Sequence, residues 1–275
     1  MRFLVAAAVL AGAVAVSPPS ALGQAVLERG ETVPLPQRPA TAWSLNFGVL
    51  AGLRPDYEGS DDYSFLGAPL VELRYGGDRF FVSSRDGVGA TLLRIGGFTA
   101  GPMLRYRFGR DQEDNDALRG IGDVGGTVEA GAFLRFQEGG WVVVVNAAQG
   151  LNDSGHRGAT AFASLGYGGR LAERWRFSLG PSMTWASDNY MQSFFGVTPT
   201  QGARAGYTAH SPGAGMKDVG FGGTLTWLAT DQIALTAIAE VKELLNDAAD
   251  SPLVARAGNA NQGFFGLALS YRFSW

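Results

Sequence analysis

The chain has 275 residues, of which 40 are Gly, and only 17% of its residues are charged. Soluble domains carry roughly 25% charged residues and about 7% Gly, so much of this surface is predicted to face something other than water. The absence of Cys excludes disulfides, thiolate metal sites and a Cys nucleophile, and a formal net charge of −3 with Lys217 and Lys242 as the only lysines excludes a basic surface for nucleic acid.

Residues 1–23 are predicted to be a secretory signal peptide. Arg2 precedes the apolar run 3–16, and the small residues Ala21 and Gly23 form a cleavage-like site. The run is shorter than the roughly 20 apolar residues of a membrane helix. We therefore expect export through the general secretory route, with residues 24–41 forming an extended, Pro-containing periplasmic tail.

From residue 42 onward, apolar and polar residues alternate over segments of about ten residues, the span of a tilted membrane strand. In the segment 174–185, for example, Phe177, Leu179 and Met183 share one face, and the other face is polar or small. Helical spacing does not fit these segments. Strands are predicted at 42–53, 67–75, 79–84, 87–95, 98–109, 125–136, 141–149, 160–168, 174–185, 217–228, 233–241 and 263–275.

The connections between these strands alternate in length. Apart from a tight turn at Arg85 and Asp86, every second connection is long and polar: 54–66, 110–124, 150–159, 186–216 and 242–262. Outer-membrane barrels have short turns in the periplasm and long loops outside. The sequence therefore predicts an all-β fold: residues 42–275 form an antiparallel up-and-down transmembrane β-barrel of about 12 strands in the Gram-negative outer membrane, with both chain ends on the periplasmic side.

Aromatic residues cluster at the short-turn ends of the predicted strands, which is typical of a girdle at the membrane boundary. The last strand ends on Tyr271, Phe273 and Trp275 in strict alternation. This ending resembles the C-terminal signal of outer-membrane barrels. The predicted partners are therefore outer-membrane lipid, lipopolysaccharide and the barrel-insertion machinery.

The interior face of the predicted barrel carries more cations than anions. Arg74, Arg135, Arg176 and Arg272 are predicted near the short-turn mouth. Two interpretations remain open: the arginines brace the barrel through ion pairs, or they form a constriction that favours anions. The charged residues predicted to face the lumen are Glu72, Arg74, Arg105, Arg107, Glu129, Arg135, Arg176, Asp218, Glu240, Lys242 and Arg272.

No catalytic, cofactor or metal motif is recognisable. His156 and His210 are predicted to be solvated loop residues; the alternative, that Ser154 and His156 act as in membrane-embedded lipid enzymes, lacks an orienting third group. The carboxylates between 111 and 116 are predicted to be a solvated acidic loop, the alternative being a loop that binds divalent cations bridging to lipopolysaccharide phosphates. They are Asp111, Glu113, Asp114 and Asp116.

Several short motifs follow one another in order along nearly the whole predicted mature chain: Pro55–Ser60, Leu118–Asp123, Gln149–Leu151, Tyr190, Phe194–Val197, Asp247–Pro252 and Tyr271–Phe273. This ordered set resembles the family of MltA-interacting protein and OmpV. The resemblance implies an outer-membrane barrel and, for one branch, a scaffold joining a periplasmic lytic transglycosylase to a peptidoglycan synthase. We therefore expect a scaffold role in cell-envelope maintenance, the alternatives being a narrow diffusion channel for small anionic solutes and a barrel-embedded lipid-modifying enzyme.

Overall fold

The computed structural model describes residues 43–275 as a single closed β-sheet. The predicted signal peptide and periplasmic tail lie outside these residues. All strand pairings are antiparallel; they join neighbours in the chain except that β4 pairs with β6 and the first strand pairs with the last. The strands are β1 Trp43–Pro55, β2 Tyr63–Tyr75, β3 Phe80–Ser83, β4 Gly87–Ala90, β5 Leu93–Ile95, β6 Phe98–Arg107, β7 Thr127–Glu138, β8 Trp141–Gly150, β9 Ala159–Ala172, β10 Trp175–Ala186, β11 Gly215–Leu228, β12 Ile233–Leu244 and β13 Asn261–Ser274.

These segments form a barrel of 12 strands, as predicted, because β4 and β5 are two parts of one predicted strand, 87–95. The strand is interrupted at Thr91 and Leu92, and both parts pair with β6. The barrel closes where Trp43 and Trp275 exchange two backbone hydrogen bonds, of 3.0 and 3.2 Å. Closure leaves the first and last residues of the barrel domain on the side with the short turns. We call this side the turn end and the opposite side the loop end.

The predicted alternation is observed along the strands. In β10, Leu179 and Met183 are exposed, whereas Ser182 and Thr184 between and beside them are buried. Aromatic side chains pair across neighbouring strands at the turn end, as in Trp43 with Tyr75, whose ring centroids lie 4.7 Å apart. Further pairs there are Phe98–Phe136, Trp141–Tyr167 and Trp175–Trp227. The outward band is therefore apolar and bordered by rings, as a lipid-facing surface requires.

The long connections differ from the prediction of polar, solvated loops. They fold into an ordered layer across the loop end, here called the cap, which consists of residues 56–62, 108–126, 151–158, 187–214 and 245–260. None of the helices described in residues 43–275 has the length and hydrophobicity needed to span a membrane. The cap contains a short 3-10 turn, Asp116–Leu118, and the helices α1 Asp188–Phe195, α2 Pro199–Ala205, α3 Asn246–Ala249 and α4 Pro252–Ala255.

The cap has its own hydrophobic cores, which explains why its loops are ordered. One core is centred on α1, where Tyr190 and Phe195 are fully buried. A second gathers Tyr57, Leu118 and Leu253 from three different loops. Burying several large side chains contributes on the order of 2 kcal/mol each, enough to offset the entropy of ordering the loops. Except for Tyr271–Phe273, which lies at the turn end of β13, the family-like motifs identified in the sequence therefore lie in or directly beside one packed layer.

A β-bulge in β11 breaks the alternation at one position. Its register against β10 shifts between Thr184 and Trp185, so that Lys217 and Asp218, which are consecutive, are both buried. Strict alternation would direct Lys217 to lipid, where a bare ammonium is costly. The extra residue of a bulge reorients the side chain and brings Lys217 inside.

Candidate functional site: a capped lumen with buried charges

The segments of the cap are tied to one another by hydrogen bonds between distant loops. The Tyr57 hydroxyl donates to the carbonyls of Leu253 and Ala257, at 2.9 Å each. Burial raises the pKa of Tyr57 above its usual range, so the hydroxyl stays protonated. Arg110 donates to the carbonyl of Phe194 at 2.7 Å, and burial lowers its pKa to about 10, which still leaves it charged at neutral pH.

Glu58 lies at the centre of a buried ion cluster below the cap. Lys217 pairs with Glu58 and approaches Asp218 to 2.7 Å, and Thr184 donates to Asp218 at 2.9 Å. The Tyr190 hydroxyl donates to the other carboxylate oxygen of Glu58 at 3.1 Å. Burial raises the pKa of Tyr190, next to the negative charge of Glu58. The cluster thus contains two carboxylates, one ammonium group and a tyrosine hydroxyl that stays protonated and donates a hydrogen bond.

A second cluster surrounds Glu129, which is completely buried. Arg107 donates to Glu129 at 2.7 Å, and Arg105 pairs with the other carboxylate oxygen. His156 Nε2 lies 3.0 Å from Glu129 Oε1, while the backbone N–H of Gly158 donates to His156 Nδ1 at 3.3 Å. The prediction that His156 is solvated is therefore wrong: its loop folds back into the lumen and buries the imidazole beside Glu129.

Tyr190 joins the two clusters. The guanidinium carbon of Arg107 lies 5.4 Å from the ring centroid, and the ammonium of Lys217 lies 5.8 Å from it. The His156 ring contacts the same ring edge-on, with centroids 5.0 Å apart. Cations favour the faces of aromatic rings, so the neutral Tyr190 ring contacts a cation from each of the two clusters. Tyr190 is contributed by α1, and the cap therefore closes directly onto the charged interior.

A cavity of about 720 Å³, including its open mouth, lies on the turn-end side of the Glu129 cluster. Arg74 is held there by Glu72, by Asp78 at 2.9 Å and by Asp86 at 3.6 Å. Arg85, in the β3–β4 turn, pairs with Asp86 at 3.0 Å. The charged side chains lining the cavity are Arg74, Asp78, Arg85, Asp86, Arg105 and Arg135.

The four arginines predicted at the short-turn mouth are not one group. Arg74 and Arg135 line the cavity together. Arg176 instead donates to backbone carbonyls of its own turn, including that of Ala172 at 3.3 Å. Arg272 donates to the side chain of Asn46 at 3.1 Å. Of the remaining predicted lumen residues, Glu72 is half-buried and the other six are buried: Arg105, Arg107, Glu129, Asp218, Glu240 and Lys242. The Nζ atom of Lys242 lies 3.8 Å from Oε2 of Glu240.

Several residues of the interior were not predicted from the sequence. Glu58 and Tyr190 belong to predicted loops, and only their position in family-like motifs marks them. Lys217 could have been found by its conflict with the alternation, because an ammonium in the lipid-facing position of a strand signals a bulge. Arg85 was assigned to a tight turn at the loop side; the shortness of β3 and β4 places this turn beside the cavity instead.

The other chemical candidates lie apart from the interior. Ser154 is exposed, and its hydroxyl accepts a hydrogen bond from Asn152 rather than facing His156. His210 is half-buried, with Nε2 2.9 Å from the carbonyl of Asp247, so it is not a solvated residue as predicted. The carboxylates of Asp111, Glu113, Asp114 and Asp116 are exposed, and within residues 43–275 no group of three or more potential ligands is arranged to hold a metal.

A closed antiparallel barrel with an apolar exterior and a charged interior defines an integral outer-membrane β-barrel protein. The family model described as MltA-interacting protein MipA matches residues 47–273. The chain belongs to this family. A search of curated protein sequences finds no significant match.

Several solved outer-membrane proteins are similar in structure. An outer membrane channel from Pseudomonas putida has 13% identity and a TM-score of 0.44, over 89% of this chain and 98% of that one. The NanC porin has 11% identity and a TM-score of 0.42, over 82% and 98% of the two chains. OmpT of Vibrio cholerae has 8% identity and a TM-score of 0.39, over 87% and 100%.

Proposed function

We propose that the protein is a structural scaffold of the outer membrane that holds a periplasmic cell-wall enzyme at its turn end. The observation that carries this proposal is the cap: its buried cores lie across the loop end, and Tyr190 at its base contacts the charged interior. A barrel whose lumen is covered in this way is better suited to presenting a binding surface than to conducting solutes. The family's description as an interacting protein of MltA supports a lytic transglycosylase as the partner.

The turn end is the face that the proposed partner would contact. By the usual orientation of outer-membrane barrels, short turns face the periplasm. The turns here include the exposed residues Glu138, Gly139, Glu173 and Arg174, beside a firm rim of paired aromatic rings. Such a rim offers rigid, preorganised contacts, which lower the entropic cost of association.

The test is binding of a lytic transglycosylase from the same organism to the barrel in nanodiscs. We expect saturable binding that an epitope inserted at Gly139 abolishes and an epitope inserted at Pro212, in the cap, leaves unchanged. On intact cells, the Pro212 epitope should be labelled and the Gly139 epitope should not. Absence of binding to the unmodified barrel, or equal loss with both insertions, would contradict the proposal.

A second candidate function is a narrow channel for small anionic solutes. It is favoured by the cavity, whose lining has four guanidinium groups and two carboxylates. A planar bilayer recording distinguishes the two candidates. A scaffold with a closed lumen gives little conductance, whereas a channel gives steady, anion-selective currents.

A further inference from the structure

The barrel wall is interrupted between β2 and β6 in its loop-end half. β3 pairs with β2 only from Glu72 to Tyr75, and β4 pairs with β6 only at Val88 and Gly89. The turn 84–86 joins β3 to β4 and is the point of this hairpin nearest the loop end. β2 extends further toward the loop end, as far as Tyr63. One edge of β2 pairs with β1 along its whole length; within residues 43–275, no strand pairs with the opposite edge of β2 from 63 to 70. Three strand spacings of about 4.8 Å separate β2 from β6 at that turn, a gap of roughly 14 Å.

The backbone of β2 shows which groups face this gap. Ser84 and Val71 exchange two hydrogen bonds, one from the Ser84 N–H to the Val71 carbonyl at 2.8 Å and one from the Val71 N–H to Ser84 Oγ at 3.1 Å. Because alternate residues of a strand direct their backbone groups to the same edge, Phe65, Gly67 and Pro69 also face the gap. Pro has no N–H and is typical of unpaired edges. Pro69 thus fits an edge that stays open.

The inner wall beside this gap is apolar, although barrel interiors are usually polar. The even-numbered residues of β2 face inward, and Leu66 packs in a cluster with Leu50, Phe264 and Ala268. Ala68 and Leu70 pack against the same cluster. We call the gap between β2 and β6, together with Leu66, Ala68 and Leu70, the lateral opening. It lies between the hydrocarbon around the barrel and an apolar strip inside, in which Leu66 is buried and Ala68 and Leu70 are half-buried.

The turn-end cavity begins where this strip ends. It is lined by Arg85 and Asp86 of the turn 84–86, and its wall combines Phe81, Met103 and Phe133 with charged groups. The Phe81 and Phe133 rings contact edge-on, with centroids 5.6 Å apart. Four guanidinium groups and two carboxylates line it directly, and Glu72 and Glu129, which pair with Arg74 and Arg105, are not among the lining residues. An apolar strip thus leads toward a partly aromatic pocket lined mainly by guanidinium groups.

We propose that the lateral opening and the turn-end cavity form a binding site for a single-chain anionic amphiphile, a long-chain carboxylate. The carboxylate binds at Arg85 and Arg135, and the chain follows Leu70, Ala68 and Leu66 to the bilayer. The surroundings select this occupant: the outside of the opening is hydrocarbon, which an alkyl chain shares, and the inside offers guanidinium donors, which bind carboxylates in charge-assisted hydrogen bonds.

The experiment measures binding of stearate carrying a nitroxide in the middle of its chain, where it would lie beside the apolar strip, to the purified barrel in nanodiscs, by electron paramagnetic resonance against protein-free nanodiscs. We expect a saturable immobilised component that unlabelled oleate displaces. The double variant Arg85→Ala/Arg135→Ala should bind about tenfold more weakly, the loss equivalent to roughly one charge-assisted hydrogen bond. The matched control is Arg176→Ala/Arg272→Ala, which removes two turn-end arginines outside the cavity and should bind normally.

The two halves of the site are tested separately. Ala68→Trp fills the apolar strip and should abolish the immobilised component, and the methyl ester of the same probe, which lacks the charge, should bind as weakly as the cavity variant does. Each variant is used only after its heat-modifiable gel mobility shows a folded barrel. Equal binding by the cavity variant and its control, equal binding of acid and ester, or full binding by Ala68→Trp would each overturn the proposal.

Discussion

The Tyr190 hydroxyl donates to the Glu58 carboxylate at 3.1 Å, and this single contact joins the loop after β1 to the helix after β10. The same carboxylate is the partner of Lys217 on β11. Three segments far apart in the chain therefore meet at one buried anion. Because each of the three groups is nearly inaccessible to water, none can recover its hydration if a partner is removed.

We expect Glu58→Ala to destabilise the folded protein by about 3 kcal/mol, because it leaves the buried Lys217 without one of its two carboxylates. The urea midpoint of unfolding in detergent measures this loss, and protease cleavage within 187–214 should report local opening of the cap. The control is Asp116→Ala, which removes an exposed ion pair with Arg119 and should leave the midpoint unchanged. A Glu58→Ala midpoint equal to that of the control would contradict the buried cluster.

The cap should weaken at alkaline pH. The pKa values of Tyr57 and Tyr190 are raised by burial, so the folded state holds protons that the unfolded state releases above about pH 10. Stability from these two groups is complete below that pH and falls as the pH rises further. In an absorbance titration of tyrosinate, Tyr57→Phe and Tyr190→Phe should each remove amplitude from the late, high-pH phase. Loss of amplitude near pH 10 instead would show that the hydroxyls are accessible.

Removal of the cap helices should open the lumen. Replacing residues 188–213 by a short Gly-Ser linker deletes α1 and α2, including the Tyr190 ring over Arg107. In planar bilayers we expect much higher conductance than for the intact chain, with anion preference in a salt gradient because the cavity lining is net positive. Adding Arg85→Ala and Arg135→Ala should lower this preference. Cation selectivity of the cap-deleted barrel would disprove the role assigned to the arginines.

Deletion of the last three residues should prevent assembly. It removes Phe273, which pairs with Leu45, and Trp275, which exchanges backbone hydrogen bonds with Trp43. A sheet that cannot close leaves backbone donors bare in lipid, and we expect unassembled protein to be degraded in the periplasm. Surface labelling and heat-modifiable mobility measure the outcome. Trp275→Phe, which keeps the backbone and an aromatic ring, is the control; normal surface levels of the truncated chain would refute the prediction.

Local patterns in the sequence were sufficient for the barrel itself. Alternation along segments such as Trp175–Ala186, together with short turns, located nearly every strand within a few residues, because a strand with lipid on one side and a lumen on the other must alternate. The prediction was weakest where the interior is not polar. β2 begins at Tyr63, four residues before the predicted start, because Phe65 and the inward-facing Leu66 are both apolar and hide the alternation.

The contacts among the interior charges and the folding of the cap depend on tertiary structure. Composition marked the loops as polar, but the burial of Tyr57 and Tyr190 depends on contacts between segments more than a hundred residues apart, such as that of Tyr190 with Glu58. His156 is buried by contacts with Glu129 and Tyr190. The register shift that turns Lys217 inward, and the short β3 and β4 that open the wall, depend on neighbouring strands. Alternation alone was sufficient to define the membrane-facing surface, since lipid imposes a period of two on each strand separately. What fills and closes the lumen is set by long-range packing, which no local period encodes.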